Sequence, residues 1–147
     1  MKSFLIIPMG GAGSRFVKAG YRTYKPFLPA VNKVTILDNI IKNFKGLNSQ
    51  LIVLANLKSL KKRNLNYLKK KRCEIIDITN HKKGPLYSIF LGRRKINKII
   101  EGNHHVFICY SDINWSWKAK CVTKKILNTN AAIFTHTGFH PHLHVNS

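Results

Sequence analysis

An unbroken apolar run, Phe4-Leu5-Ile6-Ile7-Pro8-Met9, leads straight into Gly10-Gly11-Ala12-Gly13-Ser14-Arg15. A run without polar residues at alternate positions predicts a strand buried on both faces, and such a strand needs a layer of structure on either side. The passage into glycines predicts a tight turn whose backbone can come close to a ligand. The short run and its single preceding charge, Lys2, superficially resemble a secretory leader. The run stops at Gly10 with no small-residue cleavage pattern after it, so it is read as a buried first strand.

Beyond the turn, helical and strand periods alternate. Residues 35–45 carry Ile36, Ile40, Ile41 and Phe44 at helical spacing, with Thr35 placed to cap and Gly46 to stop the helix. Residues 50–55 predict a second strand. Residues 58–71 predict a basic helix with Leu60, Leu65 and Leu68 inward, and residues 73–79 a third strand. Gly84-Pro85 opens a helix with Leu86, Ile89, Phe90 and Ile96 as its core stripe and Gly102 beyond its end. Residues 104–110 predict a fourth strand, followed by a helix around 118–127 and a strand at 131–136.

This alternation predicts an α/β protein, an open and mostly parallel sheet with helices on both faces, in one domain over residues 1–147. In such sheets ligands bind beyond the carboxyl ends of the strands. The loop at 10–15 and Asp112 both fall at strand ends, so the topology predicts that they share a site.

The glycine turn suits phosphate. Successive backbone N–H groups in such a turn form an anion-binding concavity. Arg15 adds a planar cation, and Lys25, before Pro26, a second one if the loop folds back. The turn is not a Walker loop, since no Gly-Lys-Ser/Thr ends it. It is not a dinucleotide fingerprint either, because Phe16 stands where the third glycine belongs. A plain strand-to-helix turn is the alternative.

The chain contains only five acids: Asp38, Glu74, Asp77, Glu101 and Asp112. Any carboxylate-bound metal must draw on these. Asp112, in Tyr110-Ser111-Asp112 after the fourth strand, is placed to hold Mg²⁺ against phosphates, since magnesium takes one or two carboxylates plus phosphate oxygens and water. An Asx turn or helix cap is the alternative. The other four acids read as structural.

Lysine and arginine total 26, giving a net charge of +21. Such a field favours anionic ligands. The abundance of Lys together with Asn and Ile points to biased composition more than to nucleic acid. Tyr67 among Lys61, Lys62, Arg63, Lys69, Lys70, Lys71 and Arg72 invites a nucleic-acid reading, against which a solvated amphipathic helix is preferred. The three cysteines, Cys73, Cys109 and Cys121, form neither a disulfide framework nor a zinc pair, which predicts a reducing, cytoplasmic setting. No apolar run reaches the ~18 residues of a membrane span. His136, His140, His142 and His144 match no zinc spacing and no cysteine joins them, which argues against a metal site; a position where a phosphate would approach is the alternative. Trp115 and Trp117 suit either a core edge or stacking on a base.

Pro8-Met9-Gly10-Gly11-Ala12-Gly13-Ser14-Arg15-Phe16, then Gly20-Tyr21 and Tyr24-Lys25-Pro26-Phe27-Leu28-Pro29, with Gly84-Pro85 and Tyr110-Ser111-Asp112 in order, resemble the sugar-phosphate nucleotidyltransferases. The tail Gly138-Phe139-His140-Pro141-His142 resembles the members associated with capsule and surface polysaccharide. The resemblance implies a Rossmann-like fold of the GT-A-like kind and transfer of a nucleoside monophosphate from an NTP to a phosphorylated acceptor, with pyrophosphate leaving. It further implies that Gly10, Gly11, Ala12, Gly13, Ser14 and Arg15 hold the triphosphate, that Lys25 orients the α-phosphate, that Gly84 approaches the base, and that Asp112 binds Mg²⁺. Arg15, Lys25 and Asp112 are thus the expected catalytic set. The family's domain runs longer than this chain, so the resemblance implies an amino-terminal part, incomplete at its C-terminus. The alternative is a non-catalytic nucleotide- or polyanion-binding protein on the same scaffold.

Overall fold

The computed structural model describes residues 2–11, 13, 16, 18–21, 23–30, 33–113, 129 and 131–133. Four parallel strands form one sheet: β1 (Ser3–Met9), β2 (Ser49–Ala55), β3 (Glu74–Asp77) and β4 (His105–Ile108). Their order is β3-β2-β1-β4, so the chain builds outward from β1 in one direction and then crosses back to β1's other edge. In register, Ile6 of β1 stands between Ile52 of β2 and Ile108 of β4. The expected open α/β architecture is the one formed.

Residues alternate into two apolar layers. On one face Leu5, Ile7 and Met9 join Leu51, Val53, Phe107 and Cys109 beneath α1 (Ile36–Phe44) and α2 (Lys62–Lys70). On the other, Phe4, Ile6, Ile52, Leu54, Ile76 and Ile78 lie beneath α3 (Pro85–Ile99). Burial of residues 4–9 of β1 on both faces follows from the lack of polar residues in that run. Leu37 and Ile40 of α1 are fully buried, and each contributes about 1.5–3 kcal/mol of hydrophobic stabilisation.

α1 begins where expected. The Thr35 hydroxyl accepts from the Asp38 backbone N–H at 3.0 Å and donates to the Asp38 carboxylate at 2.9 Å, a reciprocal cap. Its end differs from expectation. Gly46 sits inside a 3-10 turn, Lys45–Leu47, and the chain reverses at Asn48, which adopts the left-handed conformation with φ 45°. Asparagine tolerates that region better than most residues.

α2 starts four residues later than the apolar pattern suggests. Residues Leu57–Ser59 form a separate 3-10 turn, because the Asn56 side chain accepts from the Ser59 N–H and the Asp77 carboxylate accepts from the Leu57 N–H, each at 2.9 Å. Local side-chain acceptors have taken donors that a longer helix would have used otherwise.

The core stripe expected on α3 is partly overturned. Leu86 is 69% exposed and Phe90 52% exposed. The buried residues of α3 are Ser88, Gly92 and Ile96, flanked by half-buried Ile89 and Leu91. The bare surface at Gly92 lies against the Leu54 side chain. Small residues bring this helix close to the sheet, and a count of large apolar side chains therefore selects the wrong face. Residues 131–133 also depart from expectation: they are exposed and not in a strand. The helix expected around 118–127 lies outside the described residues, as does the rest of the 131–136 strand.

Candidate nucleotide site

The strand order reverses between β1 and β4, which creates the crevice where open α/β sheets bind ligands. The glycine turn leaves the end of β1 on one side of that crevice, and Asp112 follows β4 on the other. Gly10, Gly11, Gly13, Lys25, Gly84 and Asp112 all line one open cavity of about 710 Å³. That volume is within the range of small-molecule and cofactor sites. Gly10 and Asp112, more than a hundred positions apart in sequence, therefore line one cavity, as strand-end placement predicts. Ala12, Ser14 and Arg15 lie outside the described residues, as do Trp115, Trp117, Cys121 and the four C-terminal histidines.

Lys25 opens a 3-10 turn, Lys25–Phe27, with Pro26 at its second position. Its ammonium donates to the Asp112 carboxylate at 3.1 Å and lies 4.7 Å from the centroid of the Phe16 ring. Both partners are partly exposed, with 29% and 48% of their side chains accessible. The pair can therefore be displaced by a ligand at small cost, since exposed ion pairs contribute only about 0–1 kcal/mol.

Two side chains grip the turn from opposite faces of the sheet, and neither was singled out in the sequence as a functional group. On the α1 side, the Tyr24 hydroxyl donates to the carbonyls of Met9 and Gly11, the latter at 2.7 Å. Burial pushes the Tyr24 phenol up to about 12, so it stays a protonated donor. Gly13, at φ 61°, passes over the Tyr24 ring, and that left-handed backbone suits the alternation on which anion-binding turns depend. On the α3 side, His81 forms an isolated bridge with Gly11 and a 2.8 Å hydrogen bond with Ser88. A side chain at Gly10 would sit 2.6 Å from Ser88 Oγ and 2.8 Å from His81 Nε2, so glycine is required there for space. A tyrosine inside a Tyr-Lys-Pro string and a lone histidine give no periodic signal, and tertiary contacts alone reveal their role.

Two of the other acids, Asp38 and Asp77, are held in contacts within the fold. Asp38 accepts from Thr35, Tyr67 and Lys71, with Lys71 at 2.7 Å. Asp77 holds the turn at Leu57. Tyr67 is half-buried, with its ring edge on Phe27 and its hydroxyl on Asp38, so it belongs to the α1–α2 contact and not to a stacking surface. The lysines of α2 are solvent-exposed. Cys73 is half-buried, with its thiol donating to the Leu68 carbonyl, and Cys109 is buried.

No group of three or more His, Cys, Asp or Glu side chains is arranged for a metal among the described residues. Among the described residues lining the cavity, Asp112 supplies the one carboxylate, a donor type that suits magnesium alongside phosphate oxygens and water. No helix among the described residues is long and apolar enough to cross a membrane.

No curated protein matches the chain significantly in sequence. Among solved structures, the chain is similar to a nucleoside-diphosphate-sugar pyrophosphorylase from Vibrio cholerae, with a TM-score of 0.61 and 18% identity. The match covers 83% of this chain and 53% of that one, so the chain spans about half the length of that relative. At that identity the likeness shows the fold. The family model for the MobA-like NTP transferase domain matches residues 5–123, which contain the glycine turn, Lys25, Gly84 and Asp112. The chain therefore belongs to the MobA-like NTP transferase domain family.

Proposed function

We propose that this chain binds an NTP in the β1–β4 crevice and takes part in transferring its nucleotidyl group to a phosphorylated acceptor of the sugar-phosphate class, with release of pyrophosphate. The observation that carries the reading is the convergence of the glycine turn, Lys25 and Asp112 on one cavity, in a chain of the NTP transferase family. The Vibrio cholerae relative, named for nucleoside-diphosphate sugars, supports the acceptor class.

In this reading the backbone N–H groups of Gly10 to Gly13, with Ser14 and Arg15, hold the triphosphate. The base lies toward Gly84 at the start of α3. Asp112 would hold magnesium together with phosphate oxygens and water. Magnesium, when bound, neutralises phosphate charge and polarises the α-phosphoryl group. Lys25 leaves Asp112 and turns to the α-phosphate, where its charge offsets that developing on the equatorial oxygens. An acceptor phosphate oxygen attacks phosphorus in line, and the bond to pyrophosphate breaks. Such chemistry rests on positioning and charge stabilisation and needs no covalent enzyme intermediate.

The test is pyrophosphate release by the purified chain with Mg²⁺, each NTP and a panel of sugar phosphates. Turnover with one NTP and one acceptor supports the proposal and identifies both. The net charge of +21 favours a second reading, non-catalytic binding of nucleotides or polyanions. It predicts binding without turnover, insensitive to Arg15→Ala and Asp112→Ala and abolished by salt.

A further inference from the structure

The cavity wall that contains His81, Lys82, Gly84, Pro85 and Ser88 is built around one imidazole. His81 Nδ1 accepts from the Lys83 backbone N–H at 3.3 Å, which assigns the ring proton to Nε2. Nε2 then donates to Ser88 Oγ at 2.8 Å. Ser88 is only 1% exposed and lies in the first turns of α3. The ring edge meets Tyr87, with centroids 5.0 Å apart. The backbone of His81 bridges to Gly11, and the His81–Ser88 pair fills the space beside Gly10. One residue thus joins the end of β1, the loop after β3 and the start of α3, by its backbone at Gly11 and its side chain at Ser88.

Both ring nitrogens are satisfied within the protein, so His81 has no polar atom left over for a ligand. Its contacts instead fix the path of Gly10–Gly11, and Tyr24 holds the same segment from the opposite face. Phosphate binding by backbone N–H groups depends on their directions being set beforehand. We propose that His81 is a positioning residue: through Ser88 and the space beside Gly10, it holds the glycine turn in the conformation that receives phosphates. The inference rests on the nucleotide-site reading above and adds a residue to it.

The experiment titrates the full chain with two Mg²⁺ complexes, inorganic tripolyphosphate and the NTP that wild type binds best, at fixed ionic strength. The variants are His81→Leu, His81→Gln, Ser88→Ala, the double His81→Leu/Ser88→Ala, and Ile96→Ala as a core control remote from the turn. His81→Leu and Ser88→Ala are each expected to weaken both ligands about five- to tenfold. The double variant should fall within about twofold of the singles, since the two residues act as one unit. His81→Gln, which keeps a donor toward Ser88, should stay within about twofold of wild type.

Unchanged affinity in His81→Leu overturns the proposal. So does a loss confined to the NTP, which would mean a direct contact with the base. An equal loss in Ile96→Ala also overturns it, since the effect would then be general destabilisation. A wild-type chain that binds neither ligand overturns the nucleotide reading and this one together, whereas failure of the variant pattern alone leaves the nucleotide reading standing.

Discussion

Lys25 and Asp112, 87 positions apart in sequence, form a 3.1 Å ion pair across the mouth of the β1–β4 crevice. Each neutralises the other while the crevice holds no anion. The pair opens cheaply because both side chains are partly in water. Lys25→Ala should therefore leave thermal stability almost unchanged, within about 0.5 kcal/mol. The same variant should weaken NTP binding by about 10- to 100-fold through loss of a charged hydrogen bond. Thermal unfolding and NTP titration on one preparation check both halves, and equal losses in the two would remove the phosphate role.

Asp112→Asn keeps the shape of the side chain and removes its charge. Magnesium should then no longer improve NTP affinity, while affinity without magnesium should rise slightly, because Lys25 is released from its partner. Titrations with Mg²⁺ and with a chelator measure the difference directly. An unaltered magnesium dependence would assign the cation to groups other than Asp112.

Gly10 tolerates no side chain, with Ser88 Oγ, Ile78 Cδ1 and His81 Nε2 all within 2.8 Å of where a Cβ would be. Gly10→Ala should destabilise the fold by about 1–3 kcal/mol, the usual cost of overpacking. Urea unfolding gives the value, and a neutral result would mean that the loop after β3 yields freely.

Asp38 gives the fold an acid-sensitive joint between α1 and α2. Burial alone would raise its pKa, but hydrogen bonds from Lys71, Tyr67 and Thr35, with the Lys71 charge, outweigh burial and hold it below the ordinary value. A lowered folded pKa stabilises the protein above the unfolded value of about 4, and that stability is lost as pH falls through the folded pKa. Wild type should thus lose melting temperature more steeply than Asp38→Asn as pH drops from neutral to about 3. Parallel slopes in the two proteins would show that Asp38 carries no linkage.

The two sides of α3 should respond oppositely to truncation. Ile96 is buried, and Ile96→Ala should cost about 2–5 kcal/mol. Leu86 is largely exposed, and Leu86→Ala should lie within about 0.5 kcal/mol of wild type. Denaturant midpoints for the two variants measure the contrast.

What the sequence determined by itself is the part governed by local pattern. The polar-free run 4–9 implies a strand covered on both sides, Thr35 caps α1 through its own near neighbour Asp38, and the alternation of periods implies a parallel sheet. Because a parallel sheet aligns its carboxyl ends, the meeting of the glycine turn with Asp112 was also legible. Tertiary structure decided the rest. Which face of α3 is buried depends on how closely Gly92 allows its backbone to approach Leu54, and hydrophobic periodicity does not encode that distance. The grip of Tyr24 and of the His81–Ser88 pair on Gly10–Gly11, and the Lys25–Asp112 pair across the crevice, join residues from separate crossovers. Their energies depend on angles and separations that exist only once the sheet has formed, so no local pattern in the chain could carry them.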